Sequence, residues 1–247
     1  MVSIKIGTVS LILLTGIAVN SAVAAYTKKP SKASTEFKAE VVDAWLKAGA
    51  LTGYLAHGKS GGWHYLRKRP DGVNSLPVFL WTKFKPGVMA RLPAPSVSFA
   101  ISLGATKIDN AGLDELARFK YLRSLDISHT KVTDKGLGKL AAITSLRSLD
   151  LGASYVTDAG LRSLSKIRHL RNFYFGSTAV TDKGVTALAQ NKNMRILYLY
   201  KTQVTDMSLK VLAELRSLKI LYLAKTKVTE KGLAELRKAR PKLRIEN

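Results

Sequence analysis

An α/β solenoid of stacked strand–helix coils is the fold this sequence predicts, and three observations predict it. A 24-residue unit recurs without slippage, starting at Thr106, Thr130, Ser154, Thr178, Thr202 and Thr226. Within each unit the apolar residues first alternate, as in a strand, and then fall three and four apart, as in a helix. The same polar residues return at fixed places, in the order L-x-x-L-x-L-x-x-T-x-V-T-D-x-G-L-x-x-L. Regular leucines at a fixed period of roughly 20–29 residues are the signature of a leucine-rich solenoid.

The strand part is filled by Leu122, Leu125, Ile127, Thr130 and Val132, then by Leu146, Leu149, Leu151, Ser154 and Val156. Leu170, Phe173, Phe175, Thr178 and Val180 follow, then Met194, Leu197, Leu199, Thr202 and Val204, then Leu218, Leu221, Leu223, Thr226 and Val228. Ser98, Ile101, Leu103, Thr106 and Ile108 form a weaker first copy. The helix part is carried by Leu137, Leu140 and Ala141, or Leu209, Leu212 and Ala213. One unit cannot bury its own apolar face, but stacked units can. The expectation is right-handed coils with a parallel concave sheet and helices on the convex side. At about 4.8 Å per strand, six strands span roughly 25–30 Å.

The polar positions suit a scaffold. The recurrent Thr at an inward turn can satisfy backbone groups there. Each Thr-Asp pair (Thr133-Asp134, Thr157-Asp158, Thr181-Asp182, Thr205-Asp206) precedes a helix, where Thr caps and an acid meets the helix dipole. The glycines that follow (Gly112, Gly136, Gly160, Gly184, Gly232) allow close packing between coils.

The stretch TKVTDKGLGKLAAITSLRSLDLG resembles the leucine-rich repeats of exported bacterial repeat proteins. It is also similar to the cysteine-containing subfamily of F-box and GALA-type proteins, with Thr or Ser at the Cys position. KGLAELRKARPKLRIEN resembles the terminal repeat of the bacterial group. The resemblance covers 98–247 and implies a binding scaffold without catalytic residues. No F-box-like segment accompanies it, so it does not imply a ubiquitin-adaptor role.

From the start of the chain, residues 1–25 read as a signal peptide. Lys5 supplies the positive region, Ile6–Val19 the apolar run, and Ala22-Val23-Ala24 the small cleavage residues. The run is short for a membrane span; the rival reading is an uncleaved anchor. Residues 26–35 (YTKKPSKAST) read as a linker. Glu36–Gly49 reads as a helix with Phe37, Val41, Val42, Trp45 and Leu46 on one face, capped by Ser34 or Thr35. Strands are expected at Trp63–Leu66 and Val78–Phe84. Residues 36–97 together read as an N-terminal cap region, helix plus degenerate repeat, ahead of the repeat domain at 98–247. A small separate domain is the alternative.

No catalytic constellation emerges. Gly53–Ser60 (GYLAHGKS) fits G-x-x-x-x-G-K-S, but a phosphate-binding loop follows a strand and opens a helix. Here a predicted helix precedes it and Gly61-Gly62 follow, so it reads as a loop. His57 and His64 are close in sequence but lack an acid at ligand spacing, and His129 and His169 stand apart. The chain has no Cys, which excludes thiol chemistry and disulfides. No cofactor is expected.

The residues between the buried leucines point away from the core. One column reads Arg123, Arg147, Arg171, Arg195 and Lys219. The central column reads Ser102, Asp126, Asp150, Tyr174, Tyr198 and Tyr222, the next includes Tyr200, and the last includes His129, Lys201 and Lys225. Like charges on neighbouring strands repel, so a basic ladder needs solvation or an anion, with Asp126 and Asp150 offsetting part of it. A tyrosine ladder either stacks for stability or binds; Tyr beside Arg and Lys is the composition of recognition surfaces. The candidate ligand-binding residues are therefore Arg123, Arg147, Arg171, Arg195, Lys219, Tyr174, Tyr198, Tyr200, Tyr222, Lys201 and Lys225.

Formal net charge is +23. Residues 26–97 carry 12 basic and 4 acidic residues, and 98–247 carry 27 and 13, which reads as a diffuse basic field. Such a field favours polyanions. The sequence therefore reads as an exported, periplasmic or cell-surface, non-enzymatic scaffold. Its expected partner is a protein or an anionic glycan on the concave face. A structural envelope protein held by charge is the alternative. Nucleic acid lacks a supporting motif, and no small-molecule substrate is expected.

Overall fold

The computed structural model describes residues 37–57, 63–66, 69 and 75–247. The expected signal peptide, the linker and the caps Ser34 and Thr35 lie outside the described residues. Among those described, no helix is long and apolar enough to cross a membrane.

The chain opens with helix α1 (Ala39–Lys47), strands β1 (Leu51–His57), β2 (Trp63–Leu66) and β3 (Ser75–Leu80), the short helix α2 (Val88–Arg91) and strand β4 (Phe99–Ser102). The coils follow: β5 (Leu122–Asp126), α3 (Asp134–Leu137), β6 (Ser148–Asp150), α4 (Asp158–Ser165), β7 (Asn172–Tyr174) and α5 (Asp182–Leu188). β8 (Ile196–Tyr198), α6 (Asp206–Ala213), β9 (Ile220–Tyr222), α7 (Glu230–Ala239) and β10 (Arg244–Glu246) complete them. Among the described residues, the ten strands form one sheet, in the order β10-β9-β8-β7-β6-β5-β4-β3-β1-β2. From β3 to β10 every pairing is parallel. Parallel strands alternating with helices make the fold an α/β solenoid, as the 24-residue period requires.

The N-terminal region departs from the expected pattern. β1 pairs antiparallel with both β2 and β3, so a hairpin extends the sheet beyond the parallel coils. The GYLAHGKS segment is not the loop expected: Gly53–His57 lie inside β1, and 58–60 fall outside the described residues. A Cβ on Gly53 would come 2.6 Å from the Tyr65 ring, so this glycine makes room for an aromatic lid. Tyr65 crosses over it to donate to the Thr52 carbonyl at 2.7 Å. The predicted strand Val78–Phe84 is shifted back to Ser75–Leu80.

Hydrophobic burial drives the stacking. Leu125, Leu149, Leu197, Leu221 and Phe173 are all within 1 % of full burial, in one continuous core with Leu137, Leu161, Val185, Leu209 and Leu233 of the helices. Trp45 of α1 stacks on Phe79 at 4.1 Å between ring centres and packs beside Trp81, Phe99 and Phe119. Its indole donates to the Pro93 carbonyl at 2.8 Å, so the buried N–H is satisfied. The helix thus packs its apolar face on the β3–β4 part of the core.

Each inward Thr or Ser hydroxyl donates to the carbonyl three residues back, at 2.5–2.7 Å, from Thr106 to Thr226. The bond closes the turn after each strand. The residue before it is left-handed in every coil: Ala105, His129, Ala153, Ser177, Lys201 and Lys225 have φ of 50–58°. An L-residue in that region costs about 1–2 kcal/mol, so the closed turn is partly strained.

The Thr-Asp pairs do more than cap. Thr157, Thr181, Thr205 and Thr229 do accept from their own helix N–H groups, whereas the Thr133 side chain makes no cap bond and accepts from Asn110 instead. The acids, however, reach into the next coil. Asp134, Asp158, Asp182 and Asp206 accept from the backbone N–H of Thr157, Thr181, Thr205 and Thr229 at 2.8–2.9 Å. They also accept the same threonines' hydroxyls at 2.6–2.7 Å. Asn110 fills this place in the first coil, toward Thr133. A charged acceptor with two donors is among the stronger protein hydrogen-bonding arrangements.

Asp182 additionally accepts from the Ser208 hydroxyl. Its partial burial opposes ionisation, but the bonds from Ser208 and Thr205 outweigh this and hold its pKa below the ordinary carboxylate value. A depressed folded pKa contributes stability that is present above the unfolded pKa and lost as pH falls through the folded one. Stability should therefore decline below about pH 4. Asp182→Asn should cost about 1–2 kcal/mol at pH 7 and flatten that acid limb. Urea melts of both proteins from pH 3 to 7 check this; parallel acid limbs would refute it.

Candidate functional site

The sheet pleat decides which side chains leave the core. In β5, Leu125 points inward, so Ser124 and Asp126 face out on the open side of the sheet, opposite the helices. The register stacks this column as Ser102, Asp126, Asp150, Tyr174, Tyr198, Tyr222 and Glu246. A second open-face column, missed in the sequence reading, runs Ser124, Ser148, Asn172, Ile196, Ile220 and Arg244. Its signal was present: it lies two residues before the central column throughout.

The tyrosines form one cluster. Tyr198 lies 4.6 Å from Tyr222, 6.1 Å from Tyr174 and 6.3 Å from Tyr200, with planes tilted by 35–41°. Lys225 Nζ sits 5.2 Å from the Tyr200 ring centre, a cation–π contact. Burial, first of all, raises the pKa of Tyr174, Tyr198 and Tyr222; nearby negative charge adds to this, and Arg244 opposes it at Tyr222. All three remain neutral phenols that can donate. The Tyr222 hydroxyl is buried with no hydrogen-bond partner among the described residues.

The acids of this column do not offset the basic ladder as expected. Asp126 accepts from the hydroxyls of Ser102 and Ser128, both at 2.7 Å, and from the Ser128 N–H at 3.0 Å. Burial and the neighbouring charge of Asp126 push Asp150 up to about 8, against the Gly152 N–H that favours its anion. Asp150 therefore holds its proton more tightly than an ordinary aspartate. Two carboxylates side by side in a partly dry site share one charge rather than two.

The basic column lies at the start of the strands. The backbone N–H groups of Arg147, Arg171, Arg195 and Lys219 each bond the carbonyl of the preceding member at 2.7–2.9 Å. Arg147 donates to the carbonyls of Thr144 and Leu146, and Arg123 to Ser98 and Ser145. Arg171, Arg195 and Lys219 are exposed and have no side-chain partner among the described residues. Burial and the charges of Arg123 and Arg171 depress the Arg147 pKa.

The structure thus brings Tyr174, Tyr198, Tyr200, Tyr222 and Lys225 together, with the Arg column along the strand starts. Lys201 and Lys225 both occupy left-handed turns beyond the strand rather than the strand face, and it is Lys225 that reaches a tyrosine ring. His57 pairs with Trp63 and His64 with Ala56 across the hairpin. His169 is kept below its ordinary pKa by burial and by Arg147, against a bond to the Ile143 carbonyl. Among the described residues, no three His, Cys, Asp or Glu side chains converge as metal ligands.

A leucine-rich-repeat family model matches residues 120–141, which is the β5–α3 coil. No curated protein matches the chain significantly. Among solved structures, an internalin (inlF) from Listeria monocytogenes is similar at 23% identity and a TM-score of 0.48, over 60% of this chain and 40% of that one. A leucine-rich-repeat protein from Leptospira interrogans is similar at 16% identity and a TM-score of 0.44, over 60% of this chain and 43% of that one. The chain therefore spans about two fifths of the length of these structures. Coil geometry and the matched repeat agree: this is the fold of a leucine-rich-repeat solenoid.

Proposed function

We propose that the protein is a non-catalytic scaffold, exported to the periplasm or cell surface, that binds a partner protein on the C-terminal half of the sheet's concave face. In this reading residues 36–97 close the solenoid end and the coils present the site. The tyrosine cluster carries the proposal. Its rings are spent on one another, so a sugar has few ring faces to stack on, whereas the hydroxyl edges and Arg171, Arg195 and Lys219 remain to receive acidic side chains. An unsatisfied buried hydroxyl costs about 1–3 kcal/mol, and a carboxylate accepting from Tyr222 recovers it. Rigid Tyr with Arg is the composition of binding hot spots.

The test uses the purified protein as bait for its own cell envelope, followed by affinity measurement with the captured protein. Tyr198→Ala with Tyr222→Ala should weaken binding by at least tenfold, with an unchanged far-ultraviolet circular dichroism spectrum. Unchanged affinity would remove the site from this face.

A further inference from the structure

The positive charge of the solenoid is not diffuse; the fold sorts it to one edge. The six helix-to-strand segments, 117–123, 142–147, 165–171, 189–195, 213–219 and 239–244, hold 14 Lys or Arg and a single acid, Glu214. The opposite edge is balanced: segments 126–135, 150–159, 174–183, 198–207 and 222–231 hold seven Lys and seven acids. Because every coil has the same length, the cations align. Arg168, Lys192 and Arg216 form one row, and Arg171, Arg195 and Lys219 a second row three residues further on. Bonds from Asn193 to the Arg168 carbonyl and from Ser217 to the Lys192 carbonyl hold successive turns against each other.

Cations at helix C-termini often serve the helix itself. Some here do. Arg240 donates to the carbonyls of Ala213, Leu215, Arg216 and Leu218, and Arg118 to those of Met89 and Ala90. The six residues of the two rows are different. All are exposed and none has a side-chain hydrogen bond or ion pair among the described residues, nor have Lys120, Lys166 and Lys242 around them. Like charges one strand apart, about 4.8 Å, repel in the unliganded protein. An arrangement that is unfavourable alone and relieved by an anion points to a ligand.

We propose that this edge is a second binding surface, adjoining the tyrosine cluster and sharing with its site only the row Arg171, Arg195 and Lys219, which holds a linear anionic polysaccharide along the stacking axis. The cations form a strip two residues wide, which follows a chain better than it fills a compact anion. Thr144 and Gln190, exposed among them, offer hydrogen bonds to the hydroxyls between a sugar polymer's charged groups. Large exposed apolar side chains are nearly absent from the strip, with Tyr121 the exception among the described residues. A bilayer-bound surface would present an apolar face, and a single-stranded nucleic acid would need several aromatic platforms.

Affinity for size-fractionated heparin oligosaccharides, measured from low to high salt, tests this. Affinity should rise with oligosaccharide length, and its salt dependence should be steep. The triple variant Arg168→Gln, Lys192→Gln, Arg216→Gln should bind at least tenfold more weakly, with a salt slope smaller by about two to three. The control triple Lys135→Gln, Lys183→Gln, Lys231→Gln removes the same charge from the balanced edge and should bind as the wild type. Tyr198→Ala with Tyr222→Ala should also leave heparin binding unchanged, which separates this site from the protein-binding face. Equal losses in the two triples would overturn the proposal, as would tighter binding to anionic vesicles or to single-stranded DNA at matched salt. Thermal melts establish that each variant is folded.

Discussion

Gly184→Val should destabilise the protein by about 3 kcal/mol, while Gly138→Ala should be neutral or slightly stabilising. A Cβ built on Gly184 overlaps Asp158 Oδ1 and comes 3.1 Å from the Asp158 Cα, which is backbone and cannot swing aside. That carboxylate holds the Thr181 N–H at 2.8 Å and its hydroxyl at 2.6 Å. The added side chain must therefore either push two coils apart or displace the acid from both donors. Overpacking costs about 1–3 kcal/mol, and a lost charged hydrogen bond about 1.5–3 kcal/mol. Gly138 has nothing within 4 Å of a Cβ, and there Ala gains helix propensity of about 1 kcal/mol. Equilibrium urea unfolding of both variants decides the matter. Equal stabilities would mean that the recurrent glycine is not an inter-coil contact.

The second large effect is expected for Leu197→Ala, a loss of about 3–4 kcal/mol. Leu197 is fully buried, directly between Phe173 and Leu221 on the flanking strands. The cavity would be walled by neighbours pinned by their own strand pairings, so it can collapse only partly. Coils contact mainly their nearest neighbours, so the loss falls on two interfaces and should uncouple the coils after it. Hydrogen exchange should show amides in β9 and β10 opening more readily than those in β4 and β5. Uniform exchange across the sheet would contradict nearest-neighbour coupling.

Much of this was legible before folding because the repeat is a covalent record of the stack. The inward leucines, the turn threonine and the close-packing glycine each follow from one coil copied at a fixed interval. In the sequence the Asp of each Thr-Asp pair reads as a first-turn partner of the helix dipole, and it does sit in that turn. Its main acceptor role spans 23 residues, from Asp182 to Thr205, and exists only when neighbouring coils touch. The left-handed turn at Lys201 and Lys225 was likewise hidden. Counting columns along the repeat places them beside the strand-face residues, but the chain has already turned to close the Thr202 and Thr226 bonds.

The candidate site divides in the same way. That Tyr174, Tyr198 and Tyr222 share a column could be counted from their spacing. That their rings lie against one another could not, because ring packing depends on the pleat and on the strand separation. The paired acids show this most clearly. Asp126 and Asp150 look like two equivalent carboxylates in the sequence, yet their adjacency and burial raise the pKa of Asp150 above the ordinary carboxylate value.

The sequence by itself determined the coil: its length, its buried leucines and the order of strand, turn and helix, since these depend on local periodicity and on the need to bury apolar surface. Only the tertiary structure decided how the coils lock together and where the charge collects. Hydrogen bonds between successive coils and the alignment of cations along one edge arise from stacking, which sets side by side residues that the chain keeps about 24 positions apart.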